Sequence, residues 1–140
     1  GIDVSANAIE HGKKWLTTHN IKNVVLQTGV ADNLGRFSDK SMDVIFTNAV
    51  LFYIAPDKIY FVIKEMIRVA KKSIVLVEWN TFGKKSFYAD HWAHNWKNLF
   101  AQFNEHNMRL TKIEPDPWNG YGYRVEVLLN PPAASLKIVS

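Results

Sequence analysis

Cysteine is absent from the 140-residue sequence. Its absence excludes a disulfide framework and thiolate metal sites, and it is compatible with a reducing compartment. Long hydrophobic runs are lacking as well, since apolar stretches such as residues 44–46 and 73–77 fall far short of the roughly 20 residues that a membrane-spanning helix needs. We therefore predict neither a membrane span nor a membrane partner.

The sequence also lacks the features of an exported protein. The N-terminus has no initiator Met and no basic segment followed by an apolar one, so no signal peptide is predicted and we expect a cytoplasmic protein. Because the first residue is Gly1, we expect further sequence upstream.

Basic residues are in modest excess but are not concentrated. The chain has 17 Lys and Arg against 13 Asp and Glu, a formal net charge of +4. A nucleic-acid interface requires such residues on one face. The lysine pairs at 13–14, 71–72 and 84–85 are scattered instead, so we interpret them as solvated surface and do not expect nucleic-acid binding. The 47% hydrophobic content is enough for one globular domain with a substantial core.

Hydrophobic periodicity predicts alternating strands and helices. Ser5 suits the cap of a first helix, and Pro56-Asp57 opens another whose apolar residues recur at three- and four-residue steps. The predicted elements, in chain order, are a strand ending near Asp3, a helix over 6–20, strands over 23–28 and 42–47, a helix over 56–72, a strand over 73–78, a helix within 87–106, and strands over 110–113 and 123–129.

The order of these elements predicts an α/β domain. Continuous apolar strands such as 42–47 and 73–78 are typical of parallel sheets covered on both faces, whereas the last two strands are expected to be antiparallel. We therefore predict a three-layer sandwich over residues 1–130, with residues 131–140 as a C-terminal tail. Ligands of such sheets bind beyond the carboxyl ends of the strands, here near Asp3, Asn48 and Glu78.

Three segments carry a family resemblance. Gly1-Ile2-Asp3-Val4-Ser5, followed by Ala8-Ile9-Glu10 at a helix start, resembles the second-strand signature of class I S-adenosylmethionine-dependent methyltransferases. Residues 38–48 with the loop 50–56 resemble the fourth-strand motif of that family, and residues 67–72 resemble the helix end before its fifth strand. The resemblance implies a Rossmann-like, mostly parallel sheet with an antiparallel C-terminal edge, and S-adenosylmethionine as cofactor.

The resemblance also implies cofactor contacts. Asp3 matches the acid that binds the ribose hydroxyls of the cofactor, and a carboxylate can accept hydrogen bonds from both hydroxyls of a cis-diol. Where the family often has an Asp after the glycine of its third-strand exit, this chain has Val30, so Asp32 is expected at the adenine unless it is a structural loop acid. The cofactor-binding residues implied are Asp3, Val4, Val30, Ala31, Asp32, Asn48, Ala49 and Val50.

The catalytic candidates are residues able to take a proton from the acceptor. Methyl transfer is an in-line displacement that positioning accelerates, and a hydroxyl or amine acceptor benefits from a base. The candidates are Glu78, His91 and Tyr53, with His94 beside them. Glu78 has a structural alternative, the binding of a loop amide, and Tyr53 has packing as its alternative. His91 and His94 fall on the predicted helix with Trp92, Trp96 and Phe100, so we interpret that helix as packing and expect no metal site.

One expected feature of the family is missing from this sequence. The first strand and its Gly-x-Gly loop, which approach the methionine part of the cofactor, are not found, and Gly120-Tyr121-Gly122 precedes a strand instead of a helix. The missing strand lies in the family between the second and fourth strands, so its loss exposes two inner edges through which a homodimer is expected as one outcome. An excerpt from a longer protein is the alternative that we favour.

The predicted function is methyl transfer to a small-molecule acceptor through a hydroxyl, an amine or a carboxylate. Two alternatives stay open. The first is a non-catalytic methyltransferase-like scaffold or protein-binding domain, suggested by the missing loop. The second is an RNA-modifying methyltransferase, suggested by the excess of basic residues.

Overall fold

The computed structural model describes residues 1–83, 87–88, 91–104 and 107–129 of the chain. The predicted tail, 131–140, lies outside the described residues. The elements are β1 (Ile2–Asp3), α1 (Ala6–Thr18), β2 (Gln27–Thr28), β3 (Met42–Asn48), a 3₁₀ turn (Leu51–Tyr53), α2 (Pro56–Val69), β4 (Ala70–Trp79), β5 (Phe87–Tyr88), β6 (His91–Trp92), α3 (Trp96–Ala101), β7 (Met108–Lys112) and β8 (Gly122–Leu128).

The main sheet has four strands in the order β3-β4-β8-β7. β3 and β4 are parallel, while β8 is antiparallel to both β4 and β7. β1 and β2 form a separate parallel pair against which α1 packs. The α/β class and the antiparallel C-terminal edge are thus confirmed, and the four-stranded sheet itself is mixed.

β1 and β3 are among the strands that have an unpaired edge in the part of the chain that the structure describes. β1 pairs only with β2, and β3 pairs only with β4. Ile45 of β3 packs against the core under the helices, so Val44 and Phe46 point to the opposite side, where Phe46 is 62% exposed. The open edges of β1 and β3 are those that the resemblance places beside the missing strand.

The core lies between the main sheet and the helices α2 and α3. Pro56 stands at the first turn of α2, where its missing N–H costs no hydrogen bond. The helix then buries one face through Ile59, Val62, Ile63, Met66 and Val69. Against this face pack the inward side chains of β4 and β8, together with Trp96 and Phe100 of α3.

The predicted C-terminus of α2 at Lys71-Lys72 is wrong. The helix ends at Val69, and Ala70 already has extended backbone angles and pairs with Met42. Lys72 belongs to β4, where its ammonium lies 2.9 Å from the Asp43 carboxylate on the neighbouring strand. Pairing with β3 therefore ends the helix earlier than the basic residues indicate.

The predicted helix within 87–106 is also largely wrong. The short strands β5 and β6 form a hairpin, and only Trp96–Ala101 is helical. The backbone of His94 is held to the end of β4, because its carbonyl accepts from the Thr81 amide at 3.0 Å. Asn95 then caps α3 by accepting from the Asn98 amide at 3.0 Å. His91, Trp92 and His94 consequently do not share a helix with Trp96 and Phe100.

The strand predicted over 23–28 is shorter than expected. Only Gln27 and Thr28 pair with β1. Val24 and Val25, which lie in the predicted strand but outside β2, are exposed at 41% and 68%. Strand pairing there extends only as far as β1 itself, which is two residues long.

Candidate functional site

Asp3 lies at the carboxyl end of β1 and is exposed. One carboxylate oxygen, Oδ1, accepts from the Ser5 amide at 2.8 Å, and Ser5 in turn caps α1 by accepting from the Ala8 amide at 3.1 Å. The other oxygen has no hydrogen-bond partner among the described residues. The side chain thus combines a local turn contact with one oxygen that remains open to a ligand. This arrangement fits the recognition of a ribose hydroxyl.

The loop after β2 contains the second group of predicted cofactor contacts. Val30 and Asp32 are exposed, while Ala31 is half-buried and packs against the core. Asp32 has no hydrogen-bond partner among the residues that the structure describes, so its carboxylate is available to a ligand. The loop therefore presents one carboxylate and the Val30 side chain at the same strand end as Asp3.

Two arginines missed by the sequence analysis hold this loop in place. Arg36 donates to the Thr28 carbonyl at 3.0 Å, and its guanidinium lies so close to Gly29 that a Cβ there would collide with it. Arg68, on α2, donates to the carbonyls of Phe37 at 2.9 Å and Leu34 at 3.1 Å. Because these partners are 31 and 34 residues away from Arg68, no local pattern signals the contact.

Asn48, Ala49 and Val50 form the third group, at the carboxyl end of β3. Asn48 is exposed, and Ala49 has a left-handed backbone with φ of 56°. The Ala49 amide donates to the Val77 carbonyl at 3.0 Å and so extends the pairing of β3 with β4. Beyond it the chain turns sharply into the 3₁₀ turn.

Glu78 lies beneath this turn and is fully buried, with 0% exposure. Its two oxygens accept from the Val50 and Leu51 amides, each at 3.0 Å. Burial raises the pKa of the Glu78 carboxyl, and the two amides act in the opposite direction. The alternative in which Glu78 binds loop amides is thus what the structure shows. Its assignment as a base stays a prediction, and one that this geometry does not favour, because both oxygens are occupied.

His94 holds the same turn from the other side. Its Nε2 lies 3.2 Å from the Leu51 carbonyl and 3.0 Å from the Ile54 carbonyl. Carbonyl oxygens only accept, so Nε2 carries the proton and donates to both. Burial lowers the pKa of His94, while these carbonyls act to raise it. The backbone of Leu51 is therefore held at its N–H by Glu78 and at its C=O by His94.

An aromatic cluster covers the turn. Its members are Phe52, Tyr53, Trp79, His91, Trp118 and Tyr121. The Phe52 ring is central, with centroids of Tyr53 at 4.6 Å and His91 at 4.8 Å. Tyr53 and His91 are also 4.8 Å apart, and Tyr53 is 65% exposed. The structure thus brings together two of the three predicted catalytic side chains at the rim of the cluster, above the buried Glu78.

The predicted residues fall into two groups on one core. Asp3, Val4 and the loop 30–32 lie at the ends of β1 and β2. The other predicted residues, from Asn48 to Val50 and Glu78, lie at the ends of β3 and β4. Ile2, which precedes Asp3, and Ala31 pack against the core that includes Leu51, which follows Val50. Within the described ranges no cluster of three His, Cys, Asp or Glu suited to a metal is found. None of the described helices is long and apolar enough to span a membrane.

This topology, with polar residues at the carboxyl ends of parallel strands, is that of an α/β protein, a class whose ligands bind beyond this end of the sheet. A family model described as a methyltransferase domain matches residues 1–114. The chain belongs to this methyltransferase family. It is accordingly an enzyme domain by class.

Solved structures show the same fold. A methyltransferase dependent on S-adenosylmethionine (SAM) from Archaeoglobus fulgidus has 12% identity and a TM-score of 0.68 over 92% of this chain and 75% of its own. One from Aquifex aeolicus has 16% identity and a TM-score of 0.63 over 91% of this chain. Magnesium protoporphyrin IX methyltransferase from Synechocystis PCC 6803, solved with bound SAM, has 14% identity and a TM-score of 0.64 over 91% of this chain.

The chain spans 66% of the Aquifex protein and 57% of the Synechocystis protein. A comparison with curated proteins finds no match. S-adenosylmethionine is the cofactor of the methyltransferases that this fold resembles.

Proposed function

We propose that this protein transfers the methyl group of S-adenosylmethionine to a small-molecule acceptor through a hydroxyl, an amine or a carboxylate. The observation that supports this function best is the aromatic cluster at the carboxyl ends of β3 and β4. Its half-buried rings and the exposed Tyr53 make a surface suited to an apolar, planar acceptor, and such mixed apolar and polar linings are typical of small-molecule sites.

The residues that would hold the cofactor lie at the ends of three strands, β1, β2 and β3. Asp3 binds the ribose through its free carboxylate oxygen, with Val4 beside it. The loop from Val30 to Asp32, Ala31 included, contacts the adenine. Asn48, Ala49 and Val50 lie at the methionine end. Since the Val50 amide is engaged by Glu78, Asn48 and the side chain of Val50 make the contacts there.

The bound cofactor supplies an electrophilic methyl group. The protein positions the acceptor and excludes water, because orientation alone accounts for much of the acceleration of a displacement. An acceptor O–H or N–H loses its proton, and His91 at the rim of the cluster takes it. Tyr53, against the His91 ring, orients the acceptor.

The cytoplasm is the proposed location, and the proposed partners are small molecules in preference to nucleic acid. The lysine pairs are scattered along the sequence, whereas a nucleic-acid interface requires basic residues on one face, and this supports small-molecule partners.

Calorimetric titration with S-adenosylmethionine tests this function. Asp3→Ala removes a hydrogen bond to a charged group, so we expect the dissociation constant to rise about 10- to 100-fold. The matched control is Asp43→Ala, which removes an exposed carboxylate paired with Lys72 at the opposite end of β3 and should leave the affinity unchanged. Unaltered binding by Asp3→Ala, or no binding by the unmodified protein, would contradict the proposal.

A further inference from the structure

The backbone conformation at the end of β3 is unusual. Ala49 has φ of 56°, in the left-handed region. For a residue with a Cβ this region is disfavoured by roughly 5- to 30-fold relative to ordinary conformations. Such a conformation persists only where its surroundings impose it, and it concentrates at functional sites.

The surroundings of Ala49 impose it from both sides. Before the turn, the Ala49 amide is bound to the Val77 carbonyl at 3.0 Å. After it, the Val50 and Leu51 amides converge on the carboxylate of Glu78 at 3.0 Å each. The chain must reverse between these fixed points, and the left-handed conformation of Ala49 accomplishes the reversal.

Burying Glu78 at this position costs free energy. It is fully buried, and it forms no salt bridge with any Lys or Arg in the described part of the chain. A buried carboxylate without a cation is costly, and an apolar side chain could fill the volume. A carboxylate, however, offers a separate oxygen to each amide, and here Oε1 accepts from Val50 while Oε2 accepts from Leu51. The two amide contacts therefore explain why a carboxylate stands here.

We propose that Glu78 is a positioning residue, which fixes Ala49 in its left-handed conformation and thereby presents Asn48 and Val50 to the methionine end of the cofactor. This inference rests on the proposed function. It assigns Glu78 to the cofactor side of the site and removes it from proton transfer. Glu78 would raise the cofactor affinity by increasing the fraction of molecules whose turn is already in the binding conformation.

The first test is cofactor affinity in the full chain, by calorimetry with S-adenosylmethionine. Glu78→Gln leaves one amide facing an amide nitrogen, so the turn relaxes and the dissociation constant should rise roughly 5- to 30-fold. Glu126→Gln, which changes a glutamate on β8 away from the turn, is the control and should bind as the unmodified protein does. Binding by folded Glu78→Gln at the original affinity would overturn the proposal.

The second test is rescue, which a merely structural role does not predict. Glycine adopts positive φ without penalty, so adding Ala49→Gly to Glu78→Gln should recover most of the affinity that Glu78→Gln loses. Ala55→Gly is the matched control in the same segment, because Ala55 has φ of −68° and should give no recovery. Equal recovery by both glycines, or recovery by neither, would refute the inference.

Two further measurements cover the remaining outcomes. If Glu78→Gln does not fold, Glu78→Asp keeps the charge, withdraws the oxygens by one methylene and should show a smaller loss with the same rescue. Amide hydrogen exchange of Val50 and Leu51 without cofactor should be faster in the variant. If the protein binds no cofactor but the exchange is faster in the variant, the proposed function is contradicted and the positioning role of Glu78 stands. Unchanged exchange of Val50 and Leu51 would contradict the positioning role itself.

Discussion

The stability of the protein should depend on the protonation of His94. The side chain is buried, and its Nε2 proton is shared between the Leu51 and Ile54 carbonyls. Burial lowers its pKa below the ordinary value of 6.5, and no charged side chain contributes to the shift. Protonation would place a cation in the core and would bring no anion to balance it, so His94 is neutral in the folded protein at neutral pH.

The direction in which the unfolding free energy changes with pH follows from proton binding in the folded and unfolded states. Because the pKa is lower in the folded state, the unfolded chain binds more protons between the folded value and 6.5. The free energy of unfolding therefore rises with pH in that window and is lost as pH falls below 6.5, by at most about 1.4 kcal/mol per pH unit for one proton. The raised pKa of Glu78 acts in the opposite sense above its ordinary value of 4.5, so a difference measurement is needed.

The assay is urea unfolding between pH 5 and 7.5 of the unmodified protein and His94→Gln. Glutamine can donate to the same carbonyls but does not titrate, so the difference in unfolding free energy between the two proteins should shrink as pH falls from 6.5. His11→Gln, which changes an exposed histidine on α1, is the control and should leave the pH dependence intact. A pH-independent difference for His94→Gln would refute the argument.

Two further predictions concern packing, and thermal or urea unfolding checks both. Phe100→Ala removes a ring with 0% exposure and should cost about 3–5 kcal/mol, whereas Phe61→Ala, at a ring 63% exposed, should cost less than about 0.5 kcal/mol. Gly122→Ala places a Cβ 2.7 Å from Asp116 Oδ1 and 3.1 Å from the Trp118 ring, so it should cost about 1–3 kcal/mol. Gly35→Ala, where the nearest atom is 3.5 Å away, should be near neutral. Equal effects of either substitution and its control would contradict the packing described here.

The elements with strong local signals were predictable from the sequence. α2 begins at Pro56 as predicted and buries the apolar positions that recur at three- and four-residue steps. β3 and β4 are continuous apolar strands, paired in parallel as expected. These elements follow from periodicity, because a helix or strand buried on one face must place its apolar residues at the corresponding repeat.

Other elements depend on partners that a local pattern does not contain. The aromatic residues of 91–100 have a four-residue spacing that indicates one helix, yet the segment divides into β6 and the shorter α3. The contact between the Thr81 amide and the His94 carbonyl, 13 residues apart by number, draws the segment to the end of β4. Tertiary pairing here overrides helical spacing.

For the candidate site, the sequence by itself determined which polar residues stand at the strand ends and which family they resemble. Asp3, Asn48 and Glu78 were all placed there by the ends of apolar runs. Only the tertiary structure decided their partners. Glu78 binds amides 28 and 27 residues earlier in the chain because the register of β3 against β4 sets Asn48 beside Val77. Such a contact depends on the alignment of two distant strands, which no local spacing encodes, and it turns a candidate base into the support of a loop.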